Sequence, residues 1–200
     1  ADRKVPTRSV RDTAEVALRE AQRFVTDFLC GRAEYGLLFT GGVGSGKTFL
    51  AAAIVNAIVV KDGAALFVVV PDFLDRIRAT YTDRDDVSER DLVEQAKNIP
   101  LLVLDDLGAH QYTEWSCQKI YSILNYRLNH MLPVIVTTNL DLEDIKNVLG
   151  MRTFSRLCQM CKTIHLEAYE DIRITIRMRQ KQTVERTIRV DMGGYGRGAV

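Results

Sequence analysis

One run of the sequence combines glycines, hydroxyl residues and a lysine in a pattern that can hold phosphate. It fits GxxxxGK[ST] and comprises Gly41, Gly42, Val43, Gly44, Ser45, Gly46, Lys47 and Thr48. The glycines let backbone N–H groups wrap a phosphate, the lysine adds charge at the outer phosphates, and the threonine hydroxyl can ligate Mg²⁺. We therefore predict a P-loop that binds ATP and Mg²⁺. The alternative is a glycine-rich turn that binds nothing.

Two adjacent carboxylates follow a second apolar run. Residues 101–104 are all leucine or valine, and Asp105 and Asp106 come directly after them. At the carboxyl end of a strand, Asp105 would hold the Mg²⁺ shell and Asp106 would orient or deprotonate an attacking water. Alone, the pair fits an ordinary turn after a buried strand. Together with the P-loop it predicts a Walker B motif and ATP hydrolysis.

A third apolar run, residues 134–136, ends in Thr137, Thr138 and Asn139. Open α/β sheets bind ligands at the carboxyl edge of their strands, so a polar side chain there can hydrogen-bond a water or the γ-phosphate. Asn139 is the best candidate for that role. Taken by itself, the segment fits an ordinary turn with an asparagine cap equally well.

The elements that must position these motifs alternate between short apolar strands and amphipathic helices, which indicates an α/β fold with a parallel sheet. Pro71 and the capping candidate Asp72 mark the start of the third helix. The predicted strands are 36–40, 65–70, 101–104, 134–137 and 163–166. The predicted helices are 9–30, 46–60, 72–81, 88–97, 113–131, 141–148 and 152–160.

Composition narrows the class of protein. The 200 residues carry a net charge of +1, with 46% hydrophobic and 26% charged residues, which excludes a disordered chain and a globally basic nucleic-acid binder. Apolar runs are too short to span a membrane, so we expect a cytoplasmic protein without membrane partners. Cys158 and Cys161 have CxxC spacing, which can be half a zinc site or a redox pair; structural thiols are the favoured interpretation.

The three motifs and their spacing are similar to those of AAA+ ATPases, where Asn139 would be the sensor 1 residue. Three blocks, LDDLG at 104–108, VTTNL at 136–140 and RTFSRL at 152–157, resemble the DnaC/DnaI helicase loaders and the related IstB transposition helper. The resemblance implies a three-layer αβα fold with a central parallel five-stranded sheet and a truncated lid. It also implies an amino-terminal linker helix (1–35), an AAA+ ATPase domain (36–175) and a carboxyl-terminal tail (176–200).

Further roles follow from that resemblance. Arg156 would be an arginine finger that reaches the nucleotide of a neighbouring subunit, in a ring or helical assembly, with Arg152 as a substitute. Arg173 would be a sensor 2 residue within the same subunit. Most AAA+ proteins carry glutamate where Asp106 stands. The shorter aspartate side chain predicts slow hydrolysis. We also expect the isolated chain to hydrolyse ATP weakly until DNA or a partner organises the assembly.

Single-stranded DNA is the predicted nucleic-acid partner. Arg78 and Tyr81 lie three residues apart on one helix face, where a base can stack on the ring while the guanidinium meets a phosphate. Trp115 begins the helix after Walker B, on the side that loader rings turn toward DNA. The alternative is that Tyr81 and Trp115 simply pack against neighbouring helices.

The resemblance thus implies an ATPase that binds single-stranded DNA and loads the replicative hexameric helicase, as a primosome component. One alternative is an IstB-like transposition helper that acts on duplex DNA. Another is a small-molecule kinase, which would share only the P-loop.

Overall fold

A five-stranded parallel sheet, of order β2-β3-β4-β1-β5, forms the centre of the computed structural model, which describes residues 9–81, 88–109 and 111–167. The strands are β1 Gly36–Thr40, β2 Ala65–Val69, β3 Leu101–Asp105, β4 Val134–Thr137 and β5 Cys161–His165. The helices are α1 Val10–Leu29, α2 Lys47–Val59, α3 Val70–Ala79, α4 Glu89–Asn98, α5 Glu114–Asn129 and α6 Leu142–Met160. The predicted α/β class and the central five-stranded parallel sheet are confirmed.

Helices cover both faces of the sheet, because successive side chains of a strand point to opposite sides. Leu37 and Phe39 of β1 face a core layer with α1 and α2, whereas Leu38 faces the layer formed with α3 to α6. The burial of all five residues of β1 and β3 follows from this double cover. Helix α1, predicted as a linker, buries Ala17 and Phe24 in the first of these layers.

Helix ends follow local sequence signals at most positions. Ser9, Ser88 and Thr113 each cap a helix, and the residue three positions later completes a capping box in all three. The two predicted helices 141–148 and 152–160 form one element, α6, which breaks at Gly150 with φ of 81°. The break lies between the two predicted segments.

Two of the wrong boundary predictions have a clear physical reason. Asp72 does not cap α3, because that helix begins at Val70 and its N-cap is Val69, without a side-chain cap. Pro71 fits the first helical turn since its missing N–H has no partner there, and the Asp72 carboxylate still complements the helix dipole. Strand β5 spans 161–165 rather than 163–166, because it pairs with β1 along the whole of 36–40.

The amino ends of β3 and β4 are held together by one buried cation, the fully buried Arg127 of α5. Burial lowers the pKa of its guanidinium to about 10, so the group is still charged at neutral pH. The guanidinium donates to five backbone carbonyl oxygens at 2.6 to 3.1 Å, those of Ala96, Lys97, Ile99, Pro100 and Pro133.

Within the described part of the chain, no helix is long and apolar enough to cross a membrane.

Candidate functional site

The glycine-rich loop connects β1 to α2 at the carboxyl edge of the sheet. Gly41 has a φ of 133°, and a Cβ atom there would lie 2.0 Å from the carbonyl oxygen of Leu166, so only glycine fits. Gly46 is the N-cap of α2 with a φ of 96°. The loop therefore leads directly into a helix N-terminus, where backbone N–H groups are available to an anion.

Lys47 folds back over this loop and is only 5% exposed. Its Nζ donates to the carbonyl oxygens of Gly41 and Gly42, at 2.8 and 2.7 Å, and to the Ser45 hydroxyl at 3.3 Å. These partners are neutral, so a phosphate in the loop would compete with them for the ammonium group. Thr48, the next residue, is exposed in the first turn of α2.

A threonine joins the two carboxylate residues at the carboxyl end of β3, Asp105 within the strand and Asp106 directly after it. The Thr137 hydroxyl donates to Oδ1 of Asp105 at 2.6 Å and accepts from the backbone N–H of Asp106 at 3.0 Å. Both Thr137 and Asp105 are buried. Sequence reasoning singled out Asn139 and missed Thr137; the available signal was a hydroxyl residue at the last position of a buried strand.

Asp106 sits in the left-handed region, with a φ of 59°. Its Oδ1 accepts from Nδ2 of Asn139 at 3.4 Å, so the structure brings together the two residues that the sequence predicts at this edge. The following turn is fixed to β4, because Leu107 N–H donates to the Thr137 carbonyl and the Thr138 hydroxyl donates to the Leu107 carbonyl. The catalytic roles of Asp106 and Asn139 stay predictions.

The oxygen donors at this edge suit Mg²⁺. Strand β4 lies between β1 and β3, so the P-loop after β1 and the carboxylates at the end of β3 flank the same strand end. Mg²⁺ is held in nucleotide sites by one or two carboxylates together with phosphate oxygens. Among the described residues no group of three His, Cys, Asp or Glu side chains forms a protein-only metal site. The Asp105 carboxylate and the Thr48 hydroxyl thus fit a metal shared with a nucleotide.

Arg156 lies on α6, and its hydrogen-bond partners belong to α5 and α6 rather than to the P-loop. Its Nε donates to Asn125 of α5 at 2.9 Å and its Nη1 donates to Gln159 at 3.1 Å. Both acceptors are neutral amides, so these contacts leave the positive charge of the guanidinium uncompensated. Arg152 is exposed on the same helix. Arg173 lies outside the described residues.

The three predicted DNA contacts form one cluster. The Arg78 guanidinium lies 5.1 Å from the centre of the Trp115 ring, and the Tyr81 ring meets Trp115 edge-on at 6.4 Å. Sequence reasoning missed Lys119, whose ammonium lies 5.8 Å from the same ring. Tyr81 is 61% exposed, so the cluster is not a buried packing contact alone.

A carboxylate closes one side of this aromatic-basic cluster, defined as Arg78, Tyr81, Trp115 and Lys119. Glu89, at the start of α4, accepts hydrogen bonds from the Lys119 ammonium and the Tyr81 hydroxyl. The bond to Lys119, followed by that to Tyr81, lowers the pKa of the Glu89 carboxyl. The Arg78 guanidinium also lies 3.5 Å from the Asp75 carboxylate, so the cluster combines two cations and two aromatic rings with two competing anions.

The two cysteines of the CxxC pair differ in their exposure to solvent. Cys158 is exposed, whereas Cys161 is buried and its thiol contacts the Val134 carbonyl at 3.7 Å. Burial raises the pKa of the Cys161 thiol, so this side chain is not a reactive thiolate.

The family model described as IstB-like ATP binding protein matches residues 15–181. A replicative helicase loader DnaC from Escherichia coli (strain K12) is 29% identical over 141 residues, covering 70% of this chain and 56% of that protein. A replicative helicase loader DnaI from Bacillus subtilis (strain 168) is 32% identical over 128 residues, covering 62% of this chain and 40% of that protein. The chain spans about half the length of the curated relatives it matches.

The crystal structure of DnaI superposes with a TM-score of 0.68 at 29% identity, covering 81% of this chain and 88% of that chain. The fold is the P-loop AAA+ fold of such structural neighbours. The similarity to this family, expected from the 104–108, 136–140 and 152–157 blocks, is confirmed.

Proposed function

The chain belongs to the IstB-like ATP-binding protein family, and on that premise we propose that it is a Mg²⁺-dependent ATPase that loads a replicative helicase onto single-stranded DNA. The observation that supports ATP hydrolysis is the hydrogen-bonded unit of Asp105, Thr137 and Asp106 beside the P-loop. Similarity to proteins named replicative helicase loaders supports the helicase as the partner.

In this proposal the phosphates of ATP bind in the P-loop at the N-terminus of α2. Lys47 exchanges its bonds to the Gly41 and Gly42 carbonyls for bonds to phosphate oxygens, which are charged and therefore stronger acceptors. Thr48 and Asp105 hold Mg²⁺, which neutralises charge on the phosphates when bound.

Hydrolysis needs a water held in line with the terminal phosphate. Asp106 is the group that orients this water, and Asn139, hydrogen-bonded to the same carboxylate, aligns it. Because Asp106 directly follows Asp105, the end of β3 positions both carboxylates. The neutral partners of Arg156 keep its charge available for the terminal phosphate of a neighbouring subunit, as an arginine finger. Arg173 is proposed as sensor 2 on the resemblance alone.

The aromatic-basic cluster is the proposed contact for single-stranded DNA. An exposed tyrosine gives a base a surface on which to stack, and Arg78 and Lys119 supply positive charge for phosphates. Near-zero net charge means that binding depends on this local patch.

A transposition helper that acts on duplex DNA is the second candidate, and the matching family model favours it. The two candidates share the ATPase site, so nucleotide chemistry does not separate them. The preferred DNA form does. The small-molecule kinase has no comparable support, since the matched proteins are named helicase loaders.

The test measures ATP turnover by the chain without DNA, with a single-stranded oligonucleotide, and with the matching duplex. We expect stimulation by single-stranded DNA, and we expect Asp106→Asn to bind ATP while losing turnover. Stimulation by duplex alone would favour the transposition helper. Unchanged turnover in Asp106→Asn would remove the water-orienting role of Asp106, and no turnover by the wild type under any of the three conditions would remove the ATPase assignment.

Subunit contact is tested by mixing two inactive proteins, Arg156→Ala and Lys47→Ala. Some interfaces in the mixture pair an intact P-loop with an intact finger, so part of the ATPase rate should return. A mixture as inactive as its components would exclude action of Arg156 between subunits.

A further inference from the structure

We propose that Thr137 is a positioning residue that sets the Mg²⁺ affinity of the site, an inference that rests on the proposed function. It touches neither nucleotide nor metal in this assignment. Thr137 acts through Asp105 and Asp106, the two acidic residues that it joins. The sequence motif that predicts a role for Asn139 predicts none for Thr137.

The hydroxyl of Thr137 is used in both directions. It donates its single proton to Oδ1 of Asp105 at 2.6 Å, a short charge-assisted bond, and it accepts the Asp106 N–H at 3.0 Å. Thr137 is fully buried and Asp105 nearly so. Water therefore cannot easily replace the hydroxyl, and its removal would leave a carboxylate oxygen and an amide without that partner.

The first bond orients the metal-binding carboxylate. One oxygen of Asp105 is committed to Thr137, which fixes the rotation of the carboxylate. Removing a group that hydrogen-bonds a metal-ligating side chain typically lowers metal affinity by about 10- to 100-fold. Thr137 is held in turn by the register of β4 between β1 and β3, so the orientation is set by the sheet.

The second bond holds the backbone of the water-orienting residue. Asp106 adopts a φ of 59°, a conformation that costs energy for a residue with a Cβ atom. The Thr137 hydroxyl accepts its N–H, and the Thr137 carbonyl accepts the next N–H, from Leu107. One residue of β4 therefore fixes both the metal ligand and the turn that presents Asp106.

The neighbouring Thr138 supplies a matched control. It is equally buried, and its hydroxyl contacts the backbone of Leu107 and Leu140 but neither carboxylate. Thr137→Val and Thr138→Val thus remove the same group from adjacent buried positions. Only the first removes a contact to the acidic pair.

The experiment follows binding of a fluorescent ATP analogue while Mg²⁺ is titrated from an EDTA baseline, with circular dichroism as the check on folding. We expect Thr137→Val to require about 10- to 100-fold more Mg²⁺ than the wild type, with unchanged affinity for the analogue in EDTA. Thr137→Ser keeps the hydroxyl and should restore the wild-type midpoint. Thr138→Val should also keep it.

Equal shifts for Thr137→Val and Thr138→Val, or none for Thr137→Val, would overturn the proposal and leave Thr137 a structural residue. If Thr137→Val does not fold, Thr137→Ala against Thr137→Ser decides in the same way. Failure of the wild type to bind the analogue with or without Mg²⁺ would instead overturn the proposed function itself.

Discussion

Two buried cations lie at opposite edges of one sheet, and both are held by backbone oxygens. Lys47 lies at the carboxyl edge, where it binds the carbonyls of Gly41 and Gly42 in its own loop. Arg127 lies at the amino edge and binds five carbonyls from the segments that lead into β3 and β4. No ion pair of Arg127 occurs within residues 9–81, 88–109 and 111–167.

The difference lies in how replaceable the partners are. The lysine has a flexible stem and a compact ammonium group, so it can exchange two loop carbonyls for a phosphate at little structural cost. The arginine fork is rigid, and its five acceptors belong to two separate segments, residues 96–100 and Pro133. Similar chemistry therefore serves ligand binding at one edge and the joining of strands at the other.

The largest expected effect follows from removing the exchangeable cation. Lys47→Ala should abolish ATP binding without unfolding the protein, because the P-loop loses its charge at the outer phosphates. Lys61→Ala is the matched control, since Lys61 is exposed in the turn after α2. Calorimetry with circular dichroism checks both variants. Tight binding by a folded Lys47→Ala protein would contradict the assignment of the loop.

Removing the fixed cation should affect stability instead. Arg127→Met leaves five carbonyls without their buried donor, and we expect the free energy of unfolding to fall by about 1–3 kcal/mol for each carbonyl that stays unpaired. Arg19→Met, on the exposed face of α1, should change it little. Urea denaturation measures both. Unchanged stability of Arg127→Met would show that water satisfies these carbonyls and that the contrast between the two edges is false.

A smaller effect is expected at the aromatic-basic cluster, which includes neither Lys47 nor Arg127. Tyr81→Ala should weaken single-stranded DNA binding by about 1–3 kcal/mol per stacked base with little change in salt dependence. Arg78→Ala should flatten the salt dependence, because a phosphate contact is lost. Tyr81→Phe keeps the ring and serves as the control. Fluorescence anisotropy across a salt series separates the two, and unchanged affinity in both variants would return these residues to packing.

Sequence alone predicted the carboxyl edge better than the amino edge, for a physical reason. The P-loop and the acidic pair are contiguous in the chain, so their types and spacing are visible without a fold. Thr137 and Asp105 are 32 positions apart and meet only through strand pairing. Arg127 looks like any polar residue of an amphipathic helix, and nothing local indicates that it is buried.

Boundaries failed where pairing overrides local preference. Strand β5 extends back to Cys161 because β1 offers it partners there, although the charged Lys162 does not suggest a strand. Three of the four residues of the aromatic-basic cluster were predicted individually, yet the contact between Arg78 and Trp115 joins α3 to α5 and depends on the fold. Lys119 and Glu89 were missed for the same reason.

The central claim is that the carboxyl edge binds ligand while the amino edge joins strands. Hydrogen exchange of the wild-type chain, with and without ATP and Mg²⁺, tests this claim most directly. At short labelling times, where local motion dominates exchange, peptides covering 41–48, 105–108 and 137–140 should gain protection. Peptides covering 96–100 and 131–133, around Arg127, should not change. Protection confined to the amino edge, or none anywhere in the chain, would contradict the account.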